Sequence, residues 1–305
     1  MKIALFGASG FVGSYILDSI IEKEFEPSVL VREGSENKLS QPEKCRIVTG
    51  DIQNEQAINE TINSADCIIY NIGIIRQFPK QGITFEELHF EGAKRTIDSA
   101  VKQNVKRFIL MSANGVRPKG TDYQRTKYKA EMYLKKTKLN WTIFRPSLVF
   151  GPPRGKIEFC TQLKNDMLSL PIPAPLFYEG LFPFNAGSFS MSPIHVDNVA
   201  EFFVKAIAQK SCYGKIYNLG GPESLTWKEI IHQIALASKK RTWKIPAPVF
   251  AVKIVAEMLD RFEWFPVTRD QLTMLMEGNT VRENYFNQFS ILPKKFIKDN
   301  LVYLA

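Results

Sequence analysis

The first thirteen residues combine a short apolar segment with three closely spaced glycines. Residues 1–6 are rich in strand-forming side chains, and apolar residues recur at helical spacing over residues 15–21. Between them the chain reads Gly7-Ala8-Ser9-Gly10-Phe11-Val12-Gly13. The pattern predicts a β-strand, a glycine turn and an α-helix. Glycines there permit a tight turn, close approach of backbone N–H groups to a ligand, and close packing of the helix on the strand.

This turn predicts a nucleotide site. A pyrophosphate bound there sits on the N-terminus of the helix, where free N–H groups and the helix dipole attract anions. Three glycines alone are weak evidence, because many glycine turns only connect elements, but here the flanking strand and helix are both predicted. The turn residues that we expect to contact the cofactor are Gly7, Ser9, Gly10, Phe11, Val12 and Gly13.

Apolar segments and helical patterns alternate along the first half of the chain. Strands are predicted at Pro27–Val31, Cys45–Val48, Asp66–Tyr70, Lys106–Met111 and Trp141–Arg145, and a helix at Phe85–Gln103. The alternation predicts an α/β fold with a Rossmann-type, doubly wound parallel sheet, whose ligands collect at the carboxyl ends of the strands. We expect residues 1–150 to form the dinucleotide-binding core. Residues 151–305 are expected to complete it and to form a smaller C-terminal substrate lobe.

The composition excludes several other classes of protein. The 305 residues are 45% hydrophobic, enough for a large core, and the four cysteines lack metal-ligand spacing, so neither a zinc site nor a disulfide framework is expected. No basic leader and no apolar run of membrane-spanning length is present, so a cytoplasmic location is expected. The net charge of +9 suits a solvated basic surface, an anionic cofactor or a membrane surface. Without a nucleic-acid-binding motif, no nucleic-acid partner is expected.

Arg32, directly after the second predicted strand, bears on the choice of cofactor. In NAD sites an acidic residue near this position binds the ribose hydroxyls, whereas an arginine accommodates a 2′-phosphate. Arg32 therefore favours NADP. NAD stays possible because Glu33 follows, and an ordinary surface arginine is the alternative interpretation.

Tyr123 and Lys127 lie four residues apart, on one face of a helix predicted to run through Glu131 to about residue 136. A free tyrosine titrates near pH 10, and a neighbouring ammonium favours its phenolate. We expect Tyr123 to act as the acid or base and Lys127 to tune it and hold the ribose. Ser112 and Asn114, after the fifth strand, are the candidates for a third catalytic group, although each also suits a strand end or a turn.

Several segments further along carry a family resemblance. They are Arg-Pro-Ser-x-x-x-Gly-Pro from residue 145, Met-Ser-Pro-Ile-His-Val-Asp-Asn-Val-Ala from residue 191, and Tyr-Asn-Leu-Gly-Gly-Pro from residue 217. With the Gly-x-x-Gly-x-x-Gly turn, they resemble the extended and atypical short-chain dehydrogenase/reductases, which are NAD-dependent epimerase/dehydratase-like. The motifs that carry a closer resemblance are Met-Ser-Ala-Asn-Gly-Val from residue 111, Tyr-x-x-Thr-Lys-x-x-x-Glu from residue 123, Phe-Arg-Pro-Ser-Leu-Val-Phe-Gly-Pro from residue 144 and Leu-Gly-Gly-Pro-Glu-x-Leu-Thr from residue 219. Within that superfamily the chain looks most like bacterial relatives of the complex I accessory subunit NDUFA9.

The resemblance implies further site residues. Asp51 and Ile52 would lie beside the adenine, the backbone at Asn71 and Gly73 would pass close to the cofactor, and Pro146 would lie near the nicotinamide. The family's catalytic serine or threonine often stands where this chain has Asn114. The resembled branch binds NADP(H) or NAD(H) without a generally established reaction, and some members have structural or quinone-related roles.

Four other segments complete the prediction. A helix from Val199 to Ala208 is expected to be capped by Asp197, and a second helix covers Trp227–Ser238. The proline-rich and aromatic segment Leu168–Phe189 is expected to be irregular, as a substrate lid or as packing on the small lobe. The apolar stripe of Pro246–Phe265 predicts a core helix or an amphipathic helix that binds a membrane or a partner.

Three functions remain open from the sequence. The first is an NADP-dependent oxidoreductase acting on a small apolar carbonyl or quinone-like substrate. The second is a non-catalytic nucleotide-binding accessory subunit of a respiratory or quinone-biosynthesis complex, peripheral to the inner membrane surface. The third is a sugar-nucleotide epimerase/dehydratase.

Overall fold

The computed structural model describes residues 1–169, 173–252 and 269–305. Its contacts divide the chain into two units. Unit 1 comprises Met1–Pro146, Val196–Leu219 and Tyr285–Ile291. Unit 2 comprises Ser147–His195, Gly220–Asn284 and Leu292–Ala305.

The strands of the described residues are numbered in chain order. They are β1 (Lys2–Phe6), β2 (Glu26–Val31), β3 (Arg46–Thr49), β4 (Cys67–Tyr70), β5 (Arg107–Met111), β6 (Asn140–Pro146), β7 (Val149–Phe150), β8 (Ala174–Tyr178), β9 (Ser190–Met191), β10 (Ile194–His195), β11 (Lys215–Leu219), β12 (Leu225–Thr226) and β13 (Lys244–Pro248).

The α-helices are numbered in the same way. They are α1 (Phe11–Glu22), α2 (Glu55–Ile62), α3 (Gly92–Lys102), α4 (Asp122–Lys135), α5 (Phe159–Leu163), α6 (Val196–Ala208), α7 (Trp227–Ala237) and α8 (Arg269–Met276). A π-helical segment, Glu86–Glu91, leads directly into α3, so the helix predicted at Phe85–Gln103 is present with a wider first part. Such segments often lie at functional sites.

Unit 1 is built on a seven-stranded parallel sheet in the order β11-β6-β5-β4-β1-β2-β3. The strand order reverses at β1, which pairs with β2 on one side and β4 on the other. This topology confirms the predicted Rossmann-type, doubly wound sheet. In such sheets the crevice at the reversal, outside the carboxyl ends of the strands, is where ligands bind.

Helices cover both faces of this sheet. Ile143 of β6 belongs to the apolar cluster that includes α2, α3 and α4. The next residue, Phe144, packs on α6, with its ring centroid 4.8 Å from that of Phe203. Successive strand residues point to opposite faces, so α6, with α1 packed beside it, covers the other face. Burial on both faces explains why β1 and β4 are almost entirely apolar.

A capping box determines where α4 begins. The hydroxyl of Thr121 accepts a hydrogen bond from the backbone N–H of Gln124, and the Gln124 side chain accepts one from the Thr121 N–H at 2.9 Å. Two of the otherwise unpaired N–H groups at the helix start are satisfied in this way. The cap therefore holds Tyr123 in the first turn of α4.

The described part of unit 2 contains three two-stranded pairs: β10 with β7, β12 with β9, and β13 with β8. Its core surrounds Trp227, the first residue of α7, whose indole N–H donates to the Pro175 carbonyl at 2.9 Å. His195 is buried and meets Phe150 edge-on, with ring centroids 5.0 Å apart. The predicted helix at Trp227–Ser238 is present as α7.

Three sequence-based predictions need correction. The segment predicted to be irregular contains a strand, β8 (Ala174–Tyr178). Its proline, Pro175, is tolerated because β8 is an edge strand of a two-stranded pair. Pro246–Pro248 lies in β13 rather than a helix; residues 249–252 are helical, and 253–265 lie outside the described residues. Asp197 lies in the first turn of α6, which begins at Val196, rather than capping a helix that begins at Val199.

Within the described ranges, none of the helices combines the length and apolarity needed to cross a bilayer. The same residues contain no cluster of histidine, cysteine or acidic side chains suited to holding a metal ion.

Candidate active site

The glycine turn joins β1 to α1 with almost no space for side chains. Gly7 has a φ of +93°, and a Cβ added to it would lie 2.9 Å from the backbone of Asn71. A Cβ on Gly13 would lie 1.9 Å from the Gly7 carbonyl oxygen, so only glycine fits there. These two glycines pack β1, α1 and the end of β4 together.

Gly10 has a different role. A Cβ there would lie 3.3 Å from the Gly7 carbonyl oxygen, which is tight but not prohibitive. Gly10 stands at the start of α1, makes no side-chain capping bond, and is followed by a first turn without acidic residues. The N–H groups at the start of α1 are therefore suited to an anion such as a pyrophosphate. Ser9 lies in the loop before Gly10, and Phe11 and Val12 are the first two residues of α1.

Two buried oxygens at the carboxyl ends of neighbouring strands have no hydrogen-bond partner. They are Asn71 Oδ1, directly after β4, and Ser112 Oγ, directly after β5; the third such oxygen in the described residues is Ser28 Oγ in β2. Buried polar atoms are rarely left unpaired, and a ligand group is one explanation. A bound cofactor and substrate would fit these two positions.

Tyr123 and Lys127 lie beside these strand ends. The Lys127 ammonium donates to the Met111 carbonyl at 3.2 Å and lies 5.7 Å from the centre of the Tyr123 ring. A Cβ on Gly73 would come within 3.4 Å of Lys127 Nζ, so this glycine leaves room around the ammonium. The fold thus brings together Gly73, Ser112, Tyr123 and Lys127, which the sequence places far apart.

Burial determines the protonation state of this pair. It raises the pKa of the Tyr123 phenol to about 12, although the residue as a whole stays partly exposed. It also lowers the pKa of Lys127 to about 8, an effect that Glu131 opposes. The sequence led us to expect that the Lys127 ammonium stabilises a Tyr123 phenolate. In the structure, the cost of burying a charged phenolate dominates. At neutral pH the phenol is therefore protonated, and Lys127 is still mainly an ammonium.

His89, in the π-helical segment, is a site residue that the sequence analysis missed. Its Nε2 accepts a hydrogen bond from the backbone N–H of Ile74 at 3.1 Å, so the neutral ring carries its proton on Nδ1. Nδ1 lies 3.1 Å from the hydroxyl of Thr126, which donates to the Asp122 carbonyl. Burial, and then Lys127, lower the pKa of His89 well below its usual value. In the sequence, the only indication of a role for His89 is that it is a single histidine within a predicted amphipathic helix.

A buried ion pair anchors α4 to the sheet. Glu131, one turn after Lys127, is fully buried and accepts two hydrogen bonds from the Arg145 guanidinium of β6, one of them from Nε at 2.7 Å. A bidentate pair of this kind holds a helix in a defined register. The face of α4 that carries Tyr123 and Lys127 is positioned by it. The sequence analysis did not identify this pair.

The residues expected around the adenosine occupy different environments. Arg32 follows β2 and is exposed, in a tight turn where Ser35 N–H donates to its carbonyl. Asp51 is exposed and accepts from the Gln53 N–H at 3.0 Å. Ile52 is buried in the apolar cluster that includes α2, and its carbonyl accepts from Arg95. Among these three, only Arg32 and Asp51 present side chains to solvent.

Backbone hydrogen bonds fix the remaining predicted residues. Ser112 N–H donates to the Phe144 carbonyl at 2.7 Å, and Asn114 N–H donates to the Pro146 carbonyl at 3.0 Å. These bonds extend the contact between β5 and β6 beyond the regular strands. Asn114 and Pro146 therefore lie at the same edge of the sheet as Ser112.

Comparisons with known proteins support a nucleotide site. A model of an NAD(P)H-binding family matches residues 7–169. Over 300 residues the chain is 24% identical to the mitochondrial 40 kDa subunit of NADH-ubiquinone oxidoreductase from Neurospora crassa, covering 97% of this chain and 73% of that protein. It is 24% identical over 250 residues to the ceramide reductase of Caulobacter vibrioides, covering 81% of this chain and 74% of that protein.

A solved structure agrees with the fold. The UDP-glucose 4-epimerase of Thermus thermophilus, in complex with NAD, matches with a TM-score of 0.74 at 17% identity, covering 100% of this chain and 97% of that chain. The family model covers more than half of the chain and begins at the first glycine of the turn. The chain therefore belongs to this NAD(P)H-binding family.

Proposed function

We propose that the protein is an NADP(H)-dependent oxidoreductase that reduces the carbonyl group of an apolar substrate or a quinone-like one. The observation that carries the proposal is the placement of Tyr123. Tyr123 is a partly exposed residue with a protonated phenol, lies beside the buried Lys127 ammonium, and shares the edge of the sheet with the unpaired hydroxyl of Ser112. A purely structural nucleotide site has no need for a transferable proton at this position.

The chain's own residues have separate roles in this reaction. The N–H groups at the start of α1 bind the pyrophosphate, Arg32 binds the 2′-phosphate and Lys127 holds the ribose. Ser112 Oγ binds the substrate oxygen, and Tyr123 donates its proton to that oxygen. The nicotinamide cofactor supplies the hydride that the substrate carbon receives. One hydride and one proton convert the carbonyl to an alcohol, and Tyr123 regains its proton from solvent.

The preference for NADP rests on Arg32 alone. An exposed guanidinium at the carboxyl end of β2 suits the extra phosphate through charge-assisted hydrogen bonds. The proposed apolar character of the substrate is supported by the name of the Caulobacter relative, ceramide reductase.

A second candidate is a non-catalytic nucleotide-binding subunit of a respiratory complex. The similarity to the 40 kDa NADH-ubiquinone oxidoreductase subunit over nearly the whole chain favours it. In this function the nucleotide stabilises unit 1, and the proton of Tyr123 is not transferred to a substrate.

The test is to identify the nucleotide that copurifies with the full chain and then to measure oxidation of NADPH and NADH against a panel of apolar aldehydes, ketones and quinones. Oxidation of NADPH by a member of the panel supports the enzyme. A tightly retained nucleotide with no oxidation of either cofactor supports the accessory subunit. Interconversion of UDP-sugars with a retained NAD would instead indicate an epimerase and overturn both proposals.

A further inference from the structure

Unit 2 carries a group of large apolar side chains that face solvent. Leu181 is 91% exposed, Phe184 94% and Trp243 81%, and Phe182, Ile245 and Phe250 are each at least half exposed. Single exposed apolar residues are common on proteins, but large ones close together mark an interaction surface. We refer to residues 174–185, which contain β8 and the loop after it, together with residues 243–250, which contain β13, as the aromatic ribbon.

Backbone contacts hold these residues on one small structure. β8 and β13 pair in parallel from Ala174 with Lys244 to Tyr178 with Pro248, and Ala174 N–H donates to the Trp243 carbonyl at 2.7 Å. Residues 179–185 leave β8 directly, and their Pro183–Asn185 turn contacts both strands. A five-residue strand is about 17 Å long, so the exposed side chains lie within a region of that order.

The loop of the ribbon is locally ordered despite its exposure. The rings of Phe182 and Phe184 lie 5.7 Å apart, and the Gly187 N–H donates to the Phe177 carbonyl at 2.8 Å, which returns the chain to β8. Leu181 precedes this pair. Two aromatic rings and a leucine are therefore presented together to solvent.

Basic residues adjoin the ribbon. Residues 236–252 contain Lys239, Lys240, Arg241 and Lys244 and no acidic residue. Lys239, Lys240 and Arg241 are exposed and are separated from Trp243 by one residue, Thr242. On the opposite strand and its loop, residues 173–189 add one acidic residue, Glu179. The surface thus combines exposed aromatic side chains with a net positive charge.

We propose that the aromatic ribbon docks on a membrane surface that contains anionic lipid. Tryptophan and phenylalanine partition into the interfacial layer of a bilayer, and lysine and arginine are attracted to anionic headgroups. In this arrangement the Phe182, Phe184 and Trp243 rings enter the interface, and the Lys239-Lys240-Arg241 cluster contacts the headgroups. Two copies joined symmetrically through the ribbon would place two basic clusters in one interface, where they repel each other, so the charge favours a lipid surface. The inference does not depend on the proposed activity.

The experiment is cosedimentation of the purified full chain with phosphatidylcholine vesicles, with and without phosphatidylglycerol. We expect binding to the anionic vesicles, weakened by added salt, and little binding to the neutral ones. Phe182→Ser combined with Phe184→Ser should weaken binding at least about tenfold, because two aromatic rings no longer enter the interface. Lys239→Gln with Lys240→Gln and Arg241→Gln should remove most of the preference for phosphatidylglycerol.

Matched controls separate docking from general effects. Leu292→Ser removes another strongly exposed leucine of unit 2, and Lys136→Gln with Lys138→Gln removes exposed charge from unit 1. Neither control should change vesicle binding, and thermal unfolding should show that every variant is folded. Absence of binding to anionic vesicles, or equal losses in controls and ribbon variants, would overturn the proposal. Loss of self-association or of a protein partner in the ribbon variants, without vesicle binding by the wild type, would assign the surface to that partner instead.

Discussion

The imidazole of His89 meets the ring of Tyr123 edge-on, with the two centroids 5.1 Å apart. His89 also stacks on Phe85, with ring centroids 5.2 Å apart, and Phe85 itself meets Tyr123 edge-on at 5.6 Å. The same imidazole accepts a hydrogen bond from Ile74 N–H, directly after Gly73, and reaches Thr126 of α4. One buried side chain therefore connects the backbone after β4 to the helix that carries the proposed catalytic pair.

This connection predicts different outcomes for two His89 variants. His89→Leu leaves the Ile74 N–H and the Thr126 hydroxyl without this partner and should lower the free energy of unfolding by about 1–3 kcal/mol. His89→Gln keeps a donor and an acceptor and should recover part of the stability and of the nucleotide affinity. Urea unfolding and nucleotide titration measure both quantities. Equal losses in the two variants would show that the ring's packing, rather than its hydrogen bonds, is what matters.

Substitutions at two glycines of the turn should have different effects, one on stability and the other on nucleotide binding. Gly13→Ala places a methyl group 1.9 Å from the Gly7 carbonyl oxygen and should destabilise unit 1 strongly. Gly10→Asp should leave a folded protein that no longer binds nucleotide, because its carboxylate repels the pyrophosphate. Circular dichroism and calorimetric titration distinguish the two outcomes. Unchanged affinity in folded Gly10→Asp would remove the turn from the site.

Arg32→Ala tests the preference for NADP. Loss of a charge-assisted contact to the 2′-phosphate should weaken NADPH binding by about 1.5–3 kcal/mol while NADH binding changes little. Arg46→Ala is the matched control, because Arg46 is also exposed but begins β3, at the opposite end of the strands. If wild type and Arg32→Ala each bind both cofactors equally well, the NADP assignment is wrong.

Tyr123→Phe separates the enzyme from the accessory subunit. The change removes the proton donor and keeps the ring that packs on His89, so turnover should fall by about a hundredfold or more while cofactor affinity persists. Single-turnover oxidation of NADPH by an accepted substrate provides the measurement. Full activity in Tyr123→Phe would exclude the phenol as the proton donor.

The lowered pKa of Lys127 predicts a dependence on pH. In the folded protein this amine releases its proton near pH 8, whereas in the unfolded chain it does so near the usual value of 10.5. Between these values the unfolded state binds more protons, so the stability of the wild type should rise with pH from about 8 upward. Lys127→Met should lack this rise when unfolding is followed by urea titration at several pH values.

The same titration should affect cofactor binding in the opposite direction. The ammonium that is proposed to hold the ribose is lost as the pH passes about 8. Nucleotide affinity of the wild type should therefore decline above that pH, and the weaker affinity of Lys127→Met should not. A flat wild-type profile would contradict the proposed contact between Lys127 and the ribose.

Local patterns in the sequence determined the nucleotide-binding unit. The strand, glycine turn and helix of residues 1–22 are adjacent in the chain, and glycine and helical periodicity act over a few residues, so this element and the parallel sheet were predictable. The pairing of Tyr123 with Lys127 was predictable for the same reason, since side chains four residues apart share a helix face. The proline-containing strands β8 and β13 were not predicted. They form by pairing with each other over about 70 positions of the chain, and a local pattern cannot show such a pairing.

Tertiary structure alone decided the chemistry of the site. The protonation states of Tyr123 and Lys127 follow from burial, which depends on what the rest of unit 1 places around α4. His89 joins the site through contacts with residues 15 and 37 positions away, and Glu131 of α4 is held by an arginine of β6. Desolvation and long-range hydrogen bonds arise only when distant segments pack together, whereas turns and helix faces are set by neighbours in the chain.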